Sequence, residues 1–348
     1  MAENVEPAVD FVTLGMFIIG TLLDDIYPPE GSDQKPQLNV IGGAGTYSAV
    51  GARLFSPPPQ SKTVGWIVDA GNDFPTEIQT TIEAWDTGVL IRDRPAPTTR
   101  GWNGYSGNQH RAFRYLTEKK RLSADDLTPA LLKSKSFHLI SNPLRCIDQV
   151  KNILKWRRVA SGTAARSPII IWEPVPDLCT AEELENTMKA LKYVDVVSPN
   201  HEELAALFGL STPDKVDKDM VEELAGRLLE NGVGAEGNGA VVVRAGALGC
   251  FVSHRTASQW LPAFHQDASK VIDPTGGGNG FLGGFAVGLV RKEDYVEAAR
   301  WGSVAASFCI EQTGVPQLNA PTFFGQQPEK WNGVNVFDRL SDFSKRTA

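Results

Sequence analysis

The 348-residue chain lacks the features that mark several protein classes. Its four cysteines, Cys146, Cys179, Cys250 and Cys309, lie far apart and form no C-x-x-C pair. That argues against a zinc site or a disulfide framework and fits a reducing compartment. Positive charge is not in excess: 34 Lys and Arg against 41 Asp and Glu give a net −7, so neither nucleic acid nor an anionic membrane is an expected partner. The longest apolar runs, Phe11–Leu23 and Gly277–Val290, are short for a bilayer span. The first follows Glu3, Glu6 and Asp10 instead of a basic stretch, unlike a signal peptide. A soluble cytoplasmic protein is expected. The five histidines are scattered without metal-site spacing and read as structural or surface groups, with only His201 beside a candidate site. No G-x-S-x-G is present, so a nucleophilic serine has no support.

What remains is an ordinary globular composition, 42% hydrophobic and 22% charged, with enough apolar residues for a sizeable core. Short β-branched runs alternate with helical patterns. Val12–Ile19, Phe137–Ser141, Pro168–Trp172, Val194–Ser198 and Ala240–Arg244 read as strands, and Thr46–Leu54, Ile147–Lys155, Ala181–Leu191 and His201–Phe208 as helices. This cadence predicts an α/β fold with a mostly parallel sheet covered by helices. Segments of about 20–41 and 91–116 break the cadence and are expected to project from the sheet edge. Segments 213–220 and 231–239 read as surface connections, and the tail 317–348, rich in Pro, Gln and Asn, as peripheral and loosely packed.

The most informative stretch is VIDPTGGGNGFLGGF, from Val271 to Phe285. A strand-like VID leads through glycines into an apolar helical pattern. Consecutive glycines let main-chain N–H groups converge, and the following helix start adds partial positive charge, which together make an anion site. The other reading is a turn needed only for tight helix–sheet packing. No Lys-Ser/Thr follows the glycines, which excludes a Walker-A loop.

DPTGGGNGF at 273–281 resembles the C-terminal signature of the PfkB/ribokinase family of carbohydrate and nucleoside kinases, D-T-T-G-A-G-D-x-F. GGAGTYSAVGARL at 42–54, VGWIVDAGNDF at 64–74, EPVP at 173–176, SPNHEE at 198–203, VVVRAGALGCFV at 241–252 and AASFCIEQTGVP at 305–316 match in the family's order, so the resemblance covers about the whole chain. In the glycine-Asn segment the chain also resembles a divergent fungal, maintenance-of-killer-like branch. The resemblance implies a single ribokinase-like domain over 1–348, a three-layer α/β/α sandwich with a small β lid at 20–41 and 91–116. It also implies a small-molecule substrate and a nucleotide, ATP with Mg²⁺ and a possible monovalent cation, and pairing of two copies through the lid.

By that resemblance Gly276, Gly277 and Gly278 form an anion hole for the transferring phosphoryl group. The family's general base, an Asp, is here Asn279, and an amide cannot take a proton near pH 7. Asn200 and Glu203 match an N-x-x-E motif that helps hold Mg²⁺ through water; they also read as a helix-capping pair. Gly246 and Gly249 match the nucleotide-side turn. Arg244 reads either as a phosphate cation, in place of the lysine that relatives have where Ser198 stands, or as an ion-paired strand end. Asp273 and Thr275 match a monovalent-cation site, with an Asx turn as the alternative for Asp273. On the substrate side Gly42 and Gly43 persist, Tyr47 replaces the family's Asn, and Asp24 or Asp25 stand in for the sugar-binding Asp only if the loop is longer. Arg100, Trp102, Tyr105 and Arg114 could line the lid, or the aromatics serve packing. The expected activity is an ATP-dependent phosphotransferase altered at its base, acting on a sugar, nucleoside or carboxylate. A non-catalytic regulator that binds a nucleotide or metabolite, and a non-kinase enzyme such as a lyase reusing the anion hole, are the alternatives.

Overall fold

A computed structural model describes residues 8–23, 37–106, 110–161, 166–211, 215–319 and 328–348. Its strands are β1 (Phe11–Thr13), β2 (Ile18–Leu23), β3 (Gln37–Gly42), β4 (Val64–Ala70), β5 (Gly88–Asp93), β6 (Arg100–Ser106), β7 (His110–Tyr115), β8 (Ser136–Ser141), β9 (Ile169–Pro174), β10 (Val196–Val197), β11 (Ala240–Arg244), β12 (Cys250–His254) and β13 (Ala257–Leu261). The α-helices are α1 (Ala44–Leu54), α2 (Thr76–Ala84), α3 (Pro129–Leu132), α4 (Pro143–Ser161), α5 (Leu184–Ala190), α6 (His201–Leu207), α7 (Lys218–Asn231), α8 (Gly277–Lys292), α9 (Tyr295–Cys309) and α10 (Val336–Arg346).

Nine strands form one sheet in the order β13-β12-β11-β10-β9-β8-β1-β4-β5. Every pairing from β11 to β5 is parallel, and the β11–β12–β13 edge is antiparallel. Successive side chains in a strand point to opposite faces, and here they feed two separate cores. Val64, Trp66 and Val68 of β4 join the core under α1, α8 and α9, whereas Ile67 joins the one under α4 and α7. Likewise Val242 faces the first core, and Val241 and Val243 the second. The result is the predicted three-layer α/β/α arrangement with a mostly parallel sheet.

The small sheet has the order β3-β2-β6-β7, with β2 and β6 parallel and the outer pairs antiparallel. Its strands come from the two irregular segments, except that 91–93 belongs to β5 of the large sheet. Val12–Ile19, expected as one strand, divides between the sheets at Leu14–Phe17. The expected helix 181–191 is regular only over Leu184–Ala190, with single 3₁₀ turns on either side. The connection expected at 213–220 ends early because Asp217 caps α7 through its side chain.

The tail is not loose over 328–348. Trp331 is 1% exposed, and Val336, Leu340 and Phe343 complete the first core. Glu329 grips the buried Arg53 guanidinium through two bonds of 2.9 and 2.5 Å. A composition rich in Pro and Asn hid these few large apolar anchors. Among the described residues, no helix is long and apolar enough to cross a membrane.

Candidate functional site

The site lies beyond the C-terminal ends of the parallel strands, the usual ligand position in open α/β sheets. Helices α1 and α8 both begin there. Tyr47 meets Gly276 and Gly51 meets Gly280, so the two helices run side by side in the same direction. A Cβ at Gly51 would overlap the Gly280 carbonyl, and one at Gly283 would overlap that of Ser48. Small residues thus bring the backbones into contact and aim both helix starts, with their partial positive charge, at the same region. Gly276 sits at φ 81°, in the left-handed region, with the Tyr47 ring against it.

Asn279 lies in the first turn of α8, and its Nδ2 donates to Glu173 Oε2 at 2.6 Å. Glu173 ends β9 and is only 7% exposed. Its Oε1 pairs with Arg244 Nη1 at 3.0 Å, and its Oε2 faces His138 Nε2 at 3.2 Å. Burial pushes the Glu173 carboxyl up, but the Arg244 charge and the hydrogen bonds from His138 and Asn279 more than offset it and hold it below its ordinary value. A carboxylate only accepts hydrogen bonds, so the amide nitrogen of Asn279 must face it and Oδ1 must face away.

Arg244, at the end of β11, crosses the glycine turn; a Cβ at Gly278 would overlap its guanidinium. It is also 3.3 Å from Glu203 Oε2 and donates to the Ser198 carbonyl at 3.0 Å. Ser198 itself donates to the Val242 carbonyl at 2.6 Å. The ion-paired strand end is therefore the arrangement observed.

Glu203 caps its own helix. It accepts from the Asn200 backbone at 2.7 Å and from the Asn200 amide at 3.0 Å, while Asn200 accepts from the Glu203 backbone at 2.7 Å. Burial, with a smaller addition from the negative charge of Glu173, pushes Glu203 up to about 7 against the opposing pull of Arg244. Both oxygens of this buried carboxyl are thus engaged, in the helix cap and with Arg244, so the capping pair is the arrangement observed.

Gly42 ends β3 and Gly43 precedes α1 at φ 94°, where a Cβ would overlap the Met16 carbonyl. Tyr47 and Gly276 to Asn279 thus meet Arg244, Glu203 and Asn200 in one cluster. Gly246 and Gly249 form the turn from β11 to β12, where a Cβ at Gly249 would overlap the Leu261 carbonyl. Asp273 accepts from the Thr275 backbone at 2.9 Å, the geometry of an Asx turn. Arg100 and Trp102 stand apart from the cluster on the small sheet. Arg100 pairs with Asp73 at 2.8 Å and Asn39 at 3.1 Å, and Arg114 stacks over Trp102 at 5.2 Å. Asp24 and Asp25 lie outside the described residues.

Sequence reasoning missed Glu173 and His138. His138 is fully buried within β8, its Nδ1 facing the hydroxyls of Ser48 at 2.9 Å and Thr13 at 3.4 Å, so it is part of this cluster and not a remote packing residue. The available signal was a lone ionisable residue in each of two apolar strands, SFHLIS and IIIWEP.

Residues 112–322 match the pfkB family carbohydrate kinase model. The protein MAK32 of Saccharomyces cerevisiae is 37% identical over 97% of this chain and 93% of its own length. Among solved structures, the ribokinase of Thermotoga maritima shares the fold at 22% identity with a TM-score of 0.66, covering 97% of this chain and 99% of that one. A ribokinase of Arabidopsis thaliana, complexed with ribose and ATP, shares it at 21% identity with a TM-score of 0.62, over 88% and 94%. With a family match over more than half its length and a fungal relative along nearly all of it, the chain belongs to the pfkB family of carbohydrate kinases.

Proposed function

We propose that this protein binds a nucleotide or another phosphate-bearing metabolite at the glycine turn, and that phosphoryl transfer to a hydroxyl is held back there. The observation that carries this reading is the 2.6 Å bond from Asn279 to the ionised Glu173. It supports the reading because the residue at position 279, for which the resemblance calls for a base, is an amide already engaged in a hydrogen bond, and a positioned base is worth about 10²–10⁴-fold in rate. The converging helix starts and the turn of Gly276, Gly277 and Gly278 supply the attraction for an anion, in keeping with ATP as the nucleotide.

The test pairs binding with turnover. Titration with ATP, with and without Mg²⁺, is expected to raise the melting temperature, since a ligand of the native state stabilises it. Phosphoryl transfer to a panel of sugars and nucleosides is expected to fall at least about 10²-fold below the 1–100 s⁻¹ usual for kinases. Turnover inside that range would establish a working phosphotransferase that needs no base at position 279. No response to ATP or to phosphorylated sugars would defeat the ligand-binding reading.

A further inference from the structure

Glu173 and Asn279 are 106 positions apart and meet only in the folded chain, one at a strand end and the other at a helix start. We propose that Glu173 is the positioning residue of this site: it fixes the orientation of the Asn279 amide and excludes a carboxylate from position 279. The functional meaning of the pair rests on the ligand-binding reading above; the pairing itself does not.

The argument is one of hydrogen-bond accounting. Ionised Glu173 accepts from two donors, His138 and Asn279, and is ion-paired with Arg244. An aspartate in place of Asn279 would replace one of these donors by a second acceptor carrying negative charge, against a carboxylate that is only 7% exposed. Two carboxylates at hydrogen-bond distance cannot both ionise readily, so one of them must hold a proton. The single exchange N279D therefore opposes Glu173 instead of creating a free base.

Exchanging both members relieves the conflict. In the double variant E173Q/N279D, the amide then on the strand donates to the carboxylate then on the helix, while the carbonyl of that amide still faces Arg244. His138 can then accept through Nε2 and donate through Nδ1, because the hydroxyls of Ser48 and Thr13 can either give or take a hydrogen bond. The pair thus allows two arrangements of one carboxylate and one amide, and this chain has the carboxylate on the strand.

The groups facing Glu173 are His138 from β8, Arg244 from β11, Asn279 from α8 and, across Arg244, Glu203 from α6. The Cys179 thiol also feels the charges of Glu203, Arg244 and Glu173; it is pushed up to about 12 by burial and stays neutral between pH 5 and 8. All but the exchanged pair are common to both variants, so the difference between the variants isolates the pair.

The experiment compares thermal unfolding of the parent, N279D and E173Q/N279D from pH 5 to pH 8. N279D is expected to melt well below the parent at pH 8 and to recover towards pH 5, where the pair shares a proton. The double variant is expected to regain most of the lost melting temperature at pH 8 and to lose the extra pH dependence. Parent-like stability of N279D at pH 8 would overturn the proposal, as would failure of N279D to fold at both ends of the range, or failure of the exchange to rescue. ATP-induced stabilisation of the parent, measured alongside, reports on the ligand-binding reading separately: its absence would defeat that reading and leave the pairing result standing.

Discussion

The Arg244 guanidinium is held between two buried carboxylates, 3.0 Å from Glu173 and 3.3 Å from Glu203. It is the cation that lets both acids stay folded within one cluster. Substituting Arg244→Ala leaves two like charges facing each other without compensation. Breaking a buried ion pair by removing one partner costs about 3–5 kcal/mol, and urea unfolding at pH 8 is expected to show a loss of that size. A loss under about 1 kcal/mol would show that solvent, not Arg244, satisfies the pair.

Glu203 gives the protein a characteristic pH dependence. Its folded carboxyl lies at about 7 against an ordinary value of 4.5, so the folded state binds the proton more tightly. With that sign, its contribution is fully present below the ordinary carboxylate range and is lost as pH rises through about 7. The change amounts to about 3 kcal/mol between pH 4.5 and 8. Comparing parent with Glu203→Gln by chemical unfolding across that range should remove this slope, whereas parallel curves would refute it.

At the turn, Gly276→Ala meets two obstacles at once, a left-handed backbone and the Tyr47 ring. The backbone alone costs about 1–2 kcal/mol, and the overlap adds to it. Gly278→Ala keeps an ordinary helical backbone but drives into Arg244. It is therefore expected to weaken ATP-induced stabilisation more than its own stability loss explains. Equal effects of the two variants on both readouts would contradict this division.

The C-terminal segment offers an independent check on the fold. Arg53 is 1% exposed, and its charge is met by Glu329. Glu329→Gln leaves that charge without a carboxylate, at a cost of about 3 kcal/mol, the low end for a broken buried pair. Faster limited proteolysis within 328–348 is the second expected sign.

The small sheet is fastened by Asp73. Burial raises its carboxyl, but the bond from the Thr98 backbone, then Arg100, hold it down to about 2. Its stabilising effect is present above the ordinary carboxylate range and disappears only as pH falls towards about 2. An NMR titration should find Asp73 ionised at pH 3 in the parent and shifted upward in Arg100→Ala.

The layers of the fold were legible because they depend on local periodicity: β8, β9 and β11 fall within about two residues of the apolar runs that announced them. Asn279 was also legible, since the glycines before it fix its place in a motif. Glu173 was not, because its importance comes from contacts with His138, Arg244 and Asn279 on three other elements, which no spacing within IIIWEP encodes. The tail misled for the opposite reason. Its many polar residues outnumber Trp331, Leu340 and Phe343, but burial of those few side chains decides whether it packs.

The division of Phe11–Leu23 between two sheets has a mechanical consequence. Leu14–Phe17 passes directly over the start of α1, where Gly15 touches Gly45 and the Gly45 N–H bonds to the Met16 carbonyl at 3.0 Å. The joint that carries the small sheet is therefore pinned to the same helix end that presents Gly43 and Tyr47. Any rotation of the small sheet about this joint would reach the Gly276 turn, against which the Tyr47 ring rests, through a lever only a few atoms long.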